Sequence, residues 1–574
     1  MLLRFPLLFF LTLQHLTAAS SDFSQCLSLV RNNTFGPHAG MDNHGGFPTN
    51  VSDATAIPYE VCIERCGTGP TAFDWSPFAQ EFSAWLLPYL ALLSQLPFGA
   101  HDRWDNLIAV LLTVGSPAIA AYSIVLTVLN GRWLTRLFSR YTYPNSRHAV
   151  HILNGLQQSP LCINPDGCLL ASLVVLPEND GWWSELVTWL DYTHTWSISA
   201  ASSLAWVVVA YVFTIIDSFT DDVEETVEVN GQGVGSIWLW LIPIVISWLQ
   251  ISPKCDSERV RKALDRANEF AYVATYDHNN IAPTRIMSNQ RAIYLDCDKL
   301  QTLHSDQYIS VPVYNYARLF TWTEAVQTVA AAFSEATRHA DSFEPVNPDV
   351  EWVEGNRSLK VRPENRLGSS FQVQTYCVPV VASTPDPYGF GVWNKIILAF
   401  LAGLGLQWGT AGAAILTVYF TPTTGLGCRS GAYLIYAAAS TVVMTMLVMS
   451  SILAHYASRA PPHPLRPHMQ PFKRKMLAWS SILLRRLGKT LAFFNAVWLM
   501  MACIFQFTAF FSRCYCNSSV IGRGAKFAYD VIVFLHADVT SMKVAWIGGV
   551  VLAIGTATLF IIFINLMIVT PRLH

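Results

Sequence analysis

Seven stretches of this chain, at about 107–129, 196–218, 233–252, 395–420, 431–455, 490–511 and 545–569, are apolar over roughly the length that crosses a bilayer. None holds an ionisable side chain away from its ends. Hydrocarbon offers the main chain no hydrogen-bonding partner, so such segments must fold as helices that satisfy their own amides. The expected fold class is an all-α membrane protein, a polytopic helical bundle with about seven transmembrane helices. An eighth segment, FSAWLLPYLALLSQLPF (Phe82–Phe98), is shorter, carries Pro88 and Pro97, and follows Glu81. It is expected to lie against the outer leaflet or to re-enter from it. Only 13% of the residues are charged and the net charge is −2, so no basic field exists to attract nucleic acid.

Lys and Arg accumulate on the cytoplasmic side of short loops, and their placement fixes an orientation. Arg132, Arg136, Arg140 and Arg147 follow the first span, and Lys254, Arg259, Arg261, Lys262 and Arg266 open the long loop. The run HPLRPHMQPFKRK (His463–Lys475), with Arg485, Arg486 and Lys489 beyond it, makes 456–489 the most basic connection. By contrast Thr220–Gln232 holds Asp221, Asp222, Glu224, Glu225 and Glu228 and no cation. The pattern fits an outer N-terminus and an inner C-terminus. Residues 1–20 read as a secretory signal: Arg4, the apolar run Pro6–Leu13, then small residues around Ala18 and Ala19. The remaining pieces are an extracellular region over 21–106, cytoplasmic loops at 130–195, 253–394 and 456–489, and an extracellular loop at 512–544.

Cysteines and sequons sort with the charges. Cys26, Cys62, Cys66, Cys428, Cys514 and Cys516 fall outside, an even set able to pair fully, although Cys514 and Cys516 are too close in sequence to pair with each other. Asn32, Asn50 and Asn517 are glycosylation acceptors on the same side; the sequon at Asn356 lies inside, where it would stay unused.

The soluble pieces offer two constellations. In PHAGMDNHGG, His38, Asp42 and His44 lie close together, but the spacing fits no zinc pattern and the glycines indicate turns. Inside, His148 and His151 precede WWSELVTWLDYTHTW, where Asp191 and His194 would share a helix face while Glu185 points elsewhere. These five form a candidate interfacial site. The competing interpretation is an amphipathic helix whose Trp182, Leu186, Trp189 and Trp196 anchor at the headgroups, and the regular aromatic stripe favours it. In the loop 253–394, residues 258–273 and 316–340 are expected to form amphipathic helices. The second carries a stripe of Trp322, Val326, Val329 and Phe333 that must pack on the membrane, the bundle or a protein partner.

Inside the spans the strongest polar groups are Gln407, Asn495, Gln506 and Asn565, expected to bond across helices. Gly405 with Gly409, and Ala545, Gly549 and Ala553, are expected at close helix contacts. No phosphate loop, kinase set or hydrolase elbow occurs, and no cofactor or metal is implied.

The segments WLLPYLALLSQLPF (Trp85–Phe98), VGSPAIAAYSIVLTVLN (Val114–Asn130) and PVYNYARLFTWTEAV (Pro312–Val326) resemble a functionally uncharacterised group of multi-pass membrane proteins of filamentous fungi. The resemblance implies an architecture and a compartment, the plasma membrane or secretory pathway, and no catalytic residue. The leading expectation is a non-enzymatic sensor, scaffold or accessory subunit whose partners are the bilayer and a protein meeting 253–394. The alternatives are an export facilitator for a small apolar secondary metabolite and a membrane enzyme acting on a lipophilic substrate.

Overall fold

A computed structural model describes residues 21–568 apart from 74, 193–195, 221–230, 277–280, 288–289, 296–301, 356–360, 379–389 and 459–470. The expected signal, the acidic connection 221–230, His194 and Asn356 lie outside the described residues.

The chain opens with α1 (Phe23–Arg31), capped by Asp22, whose side chain accepts from Gln25 N at 2.9 Å. Strand β1 (Ala56–Pro58) follows. The consecutive helical stretches Trp75–Glu81, Phe82–Leu86 and Leu87–Leu93 then make α2. Residues 82–98, expected to lie against the outer leaflet or to re-enter from it, pack into the bundle. Trp85, Tyr89 and Leu92 are buried in the bundle core, and the Tyr89 hydroxyl donates to Gly235 O at 2.9 Å. Phe82–Leu86 is a π-helical turn placed just before Pro88, where a helix must accommodate the missing N–H.

The expected straight span at 107–129 is corrected. Helices α3 (Arg103–Gly115) and α4 (Pro117–Phe138) meet at 104° across Ser116. Pro117 starts a new helix where its fixed φ is pre-organised. Gly115 lets the tip approach the neighbouring main chain: a Cβ there would fall 1.9 Å from Ala492 O. Groups released by the break are met across helices. Val114 O accepts from the Tyr436 hydroxyl (2.8 Å), Gly115 O from Asn495 Nδ2 (2.7 Å), and Ser116 Oγ donates to Ser440 O (2.9 Å).

Helices α5 (Ser146–Gly155), α6 (Gly167–Val175) and α7 (Asp180–Leu190) precede α8 (Ile198–Thr220), α9 (Gly231–Trp238) and α10 (Leu241–Ile251). Beyond them come α11 (Ser257–Glu269), α12 (Asn315–Asp341) and α13 (Ser370–Cys377). The last four are α14 (Phe390–Tyr419), α15 (Cys428–Ser458), α16 (Pro471–Phe507) and α17 (His536–Met567). Among the described residues six helices are long and apolar enough to cross a membrane, or seven if the bent pair counts as one span. The molecule is thus an all-α, polytopic integral membrane protein. Most of the basic segment 456–489 is not loop: from Pro471 it belongs to α16, because cations end a membrane core but not a helix. Of the small residues, Gly409 meets Thr556, Gly549 meets Thr417 and Ala553 is buried. Gly405 has nothing within 4 Å, and the close approach falls at Gly403, against Ala118 O.

The segments 130–195 and 253–394 do not stay separate loops. They fold together into one domain, called the inner domain after the side to which the charges assign it, with its own core, which contains Trp182, Trp183, Leu186, Val260, Leu264, Trp322, Val326, Val329 and Phe333. The α12 stripe therefore covers this core. The tryptophan stripe divides: Trp182 and Leu186 are buried, whereas Trp189 and Trp196 are exposed. Strands β2 (Cys162–Ile163) and β5 (Ile293–Tyr294) pair antiparallel, as do β3 (Tyr272–Ala274) and β4 (Ile281–Pro283). Arg366, 2% exposed, ties the halves by bonding Asp180 (2.7 and 2.8 Å), Val175 O (2.7 Å) and Leu176 O (3.2 Å).

On the opposite face β1 pairs with β6 (Tyr529–Val531), joining the N-terminal region to the connection before α17. Disulfides Cys26–Cys66, Cys62–Cys514 and Cys428–Cys516 use all six cysteines assigned to that side. Cys162, in the inner domain, is disulfide-bonded as well.

Candidate functional site

The inner constellation is brought together only in part. His148 and His151 lie on α5, where His148 Nδ1 is 3.2 Å from Asn145 Oδ1. Burial pushes both imidazoles below their usual pKa, opposed by the nearby charges of Asp180 on His148 and Asp191 on His151. Helix α7 ends at Leu190, so Asp191 follows the helix as its cap, and His194, its expected partner on a helix face, lies outside the described residues. Glu185 stands apart and accepts from Trp189 Nε1 at 3.0 Å, while Arg266 covers that indole at 4.1 Å. No three metal-binding side chains gather among the described residues. His38, Asp42 and His44 form a turn: Asp42 Oδ1 accepts from His44 N (2.8 Å) and Gly46 N (2.7 Å), and His38 packs edge-on against Phe47.

The intramembrane amides take different roles. Asn495 bonds Gly115 O and Tyr436 O, across helices as expected, and Asn565 bonds Ile561 O within its own helix. Gln506 reaches the outer cavity. Gln407 is fully buried, and neither its oxygen nor its nitrogen meets a hydrogen-bonding group.

That outer cavity has a volume of about 580 Å³. Its size lies within the usual range of small-molecule sites. Its floor is the outer ends of α2 (Glu81), α14 (Val418), α15 (Arg429) and α16 (Gln506, Phe507). Its walls come from residues 21–24, 421–427 and 508–534. The short connection from α14 to α15 is held by many small bonds. Gly425, with φ +137°, lets its N–H turn back to Tyr419 O (2.9 Å). Ser430 Oγ accepts from Gly427 N (3.0 Å), Thr423 Oγ1 accepts from Val531 N (3.0 Å), and Ser519 Oγ donates to Thr423 O (2.9 Å). Cys428–Cys516 fixes the same corner covalently.

The lining is polar and charged: Asp22, Glu81 and Asp530 against Arg429, with Gln506 and Asn517, and with Phe23, Phe507 and Phe534 as apolar walls. Arg429 bonds Ser512 Oγ at 3.3 Å, and Asn517 Nδ2 approaches Asp530 Oδ2 at 3.4 Å. Asn517, named as a glycan acceptor from sequence, is half-buried at this wall, whereas Asn32 and Asn50 are exposed. The lining offers carboxylates, a guanidinium, amides and hydroxyls as polar contacts for a small polar molecule. Sequence reasoning missed this site because its parts are scattered over five segments; the only advance signal was the cysteine set.

The helices under the cavity also hold the inner domain. Midway along α16, Lys489 Nζ meets buried Asp306 at 2.6 Å, and Arg485 donates to Leu303 O at 2.6 Å. Asp306 also accepts from the Tyr316 hydroxyl at 2.5 Å. On α15, Ser451 Oγ donates to Tyr316 O at 2.6 Å. On α14, buried Lys395 donates to Asn130 Oδ1 at 2.9 Å and lies 4.3 Å over the Trp133 ring. No known family model matches the chain, and no curated protein or solved structure matches it.

Proposed function

We propose that the protein is a membrane sensor: a small polar molecule binds the outer cavity, and the inner domain reads the bound state. The orientation follows the charge sorting, with the disulfide-braced face outside and the inner domain in the cytosol. One observation carries the reading. The helices that floor the cavity, α14, α15 and α16, reach across the bundle and grip the inner domain at Asn130, Tyr316 and Asp306. A ligand that shifts their outer ends has a continuous packed route inward, and a shift requires only that it bind one arrangement better than another.

The test uses purified full-length protein in nanodiscs and a panel of small amines, amino acids, sugars and carboxylates. A ligand raises the Tm, loses at least tenfold in affinity in Gln506→Leu, and changes amide exchange over residues 302–316. Movement of that ligand into sealed proteoliposomes, with no change in exchange at 302–316, would refute the sensor in favour of a facilitator. The broken helix at Ser116 and the unbonded Gln407 amide favour the facilitator as the second reading, since interrupted helices mark paths in transporters.

A further inference from the structure

Helix α16 is 37 residues long, about 55 Å at the usual rise, against roughly 30 Å of hydrocarbon. Its outer end is at the cavity, and Lys489 marks where it meets the inner domain, so a long segment continues inward. One face of that segment carries Phe472, Met476, Trp479, Leu483 and Leu487 at spacings of four, three, four and four. All five are exposed, Phe472 and Trp479 by 72% and 74%. The opposite face is occupied. Ser481 Oγ donates to Ser450 O on α15 at 2.7 Å, and Arg474 Nε donates to Ala457 O at 2.6 Å. Beyond Thr490 the apolar face continues into Phe494 and Val497, within the expected span 490–511.

An apolar face at this depth has one fitting neighbour. Water would leave a large apolar patch unmatched, whereas the inner leaflet continues the lipid contact already made above it. Lys475 and Arg486 flank the stripe on one side and Lys473 on the other, all exposed, at helical positions that allow their stems to lie along the apolar surface and their charges to reach the phosphates. We propose that the inner half of α16 is a binding face for the anionic phospholipid of the inner leaflet, with Trp479 at headgroup depth and Lys473, Lys475 and Arg486 as the headgroup contacts.

Each cation near an anionic surface contributes about 1 kcal/mol, about fivefold. The test reconstitutes the full-length protein in nanodiscs of phosphatidylcholine with one-third phosphatidylserine, with bromine on the chains of one lipid or the other. The Trp479 signal is the difference between wild type and Trp479→Phe. It should be quenched by both lipids, and several-fold more by brominated phosphatidylserine than its bulk share predicts. Replacing Lys473, Lys475 and Arg486 with Gln should return the serine lipid to its bulk share while quenching by the choline lipid persists, which also shows that the variant is folded and embedded. Raising salt to 0.5 M should weaken the preference in wild type. Absence of quenching by either lipid would remove the membrane contact, and equal quenching in wild type would remove the anionic preference; either result overturns the proposal.

Discussion

Gln407 lies mid-way along α14 with both ends of its amide unbonded and no exposure. A buried polar group in that state costs about 1–3 kcal/mol. Gln407→Leu should therefore raise stability by about that amount, read as a higher Tm of the full-length protein in micelles; a lower Tm would mean the amide is satisfied in the folded protein. Asn495 presents the opposite case, since its amide donates to Gly115 O at the α3–α4 break and to Tyr436 O on α15. Both were visible in the sequence as rare amides in apolar surroundings. Their different roles were not, because the role depends on whether another helix presents a free carbonyl, and the one at Gly115 came from a break at Ser116 that hydropathy does not register. The helix face expected to carry Asp191 is missing for a related reason: helix α7 stops at Leu190, and spacing arguments hold only while the helix lasts.

At the scale of elements, hydropathy found the helices and missed one sharp bend. The stretch 107–129 is apolar throughout, so length alone made it a span, yet Gly115, Ser116 and Pro117 sit at its centre and bend it by 104°. Both far ends of the bent pair lie at one face of the bundle. Before α3, Gly99 O accepts from Ser257 N and Ser310 Oγ, and late in α4, Arg132 bonds Met567 Sδ at the end of α17. We predict from this that the pair dips in and returns on that side, and that α2 crosses in its place. The later charge assignments survive, since one crossing replaces another. The two maps disagree about one short region, which the sequence reading puts outside and this prediction puts inside. A single cysteine at Trp104, with Cys168, Cys255, Cys377 and Cys503 replaced by Ala, should react with an impermeant maleimide in inside-out vesicles and resist it in right-side-out ones. Labelling from the outside would restore 107–129 as a simple span.

For the whole molecule, three disulfides and one β pairing draw four distant segments into a single outer cap. The sequence supplied the six cysteines and their shared side; it could not supply the pairing, because Cys62 and Cys514 are 452 residues apart and only the packed bundle brings them together. The Cys162 bond stands outside that sorting, on the face that the charges assign to the cytosol, a compartment that keeps thiols reduced. Two of the outer bonds, Cys62–Cys514 and Cys428–Cys516, bridge the region between α15 and α16. A specific protease site placed within 459–470 should accordingly cut the chain only when the enzyme has access to the inner face. The two fragments should then migrate as one band without reductant and separate with it. Cys62→Ser alone should leave them joined through Cys428–Cys516, whereas Cys62→Ser with Cys428→Ser should release them. Separation of wild-type fragments without reductant would disprove the cap, and cutting from the outer side would reverse the orientation on which the sensor proposal depends.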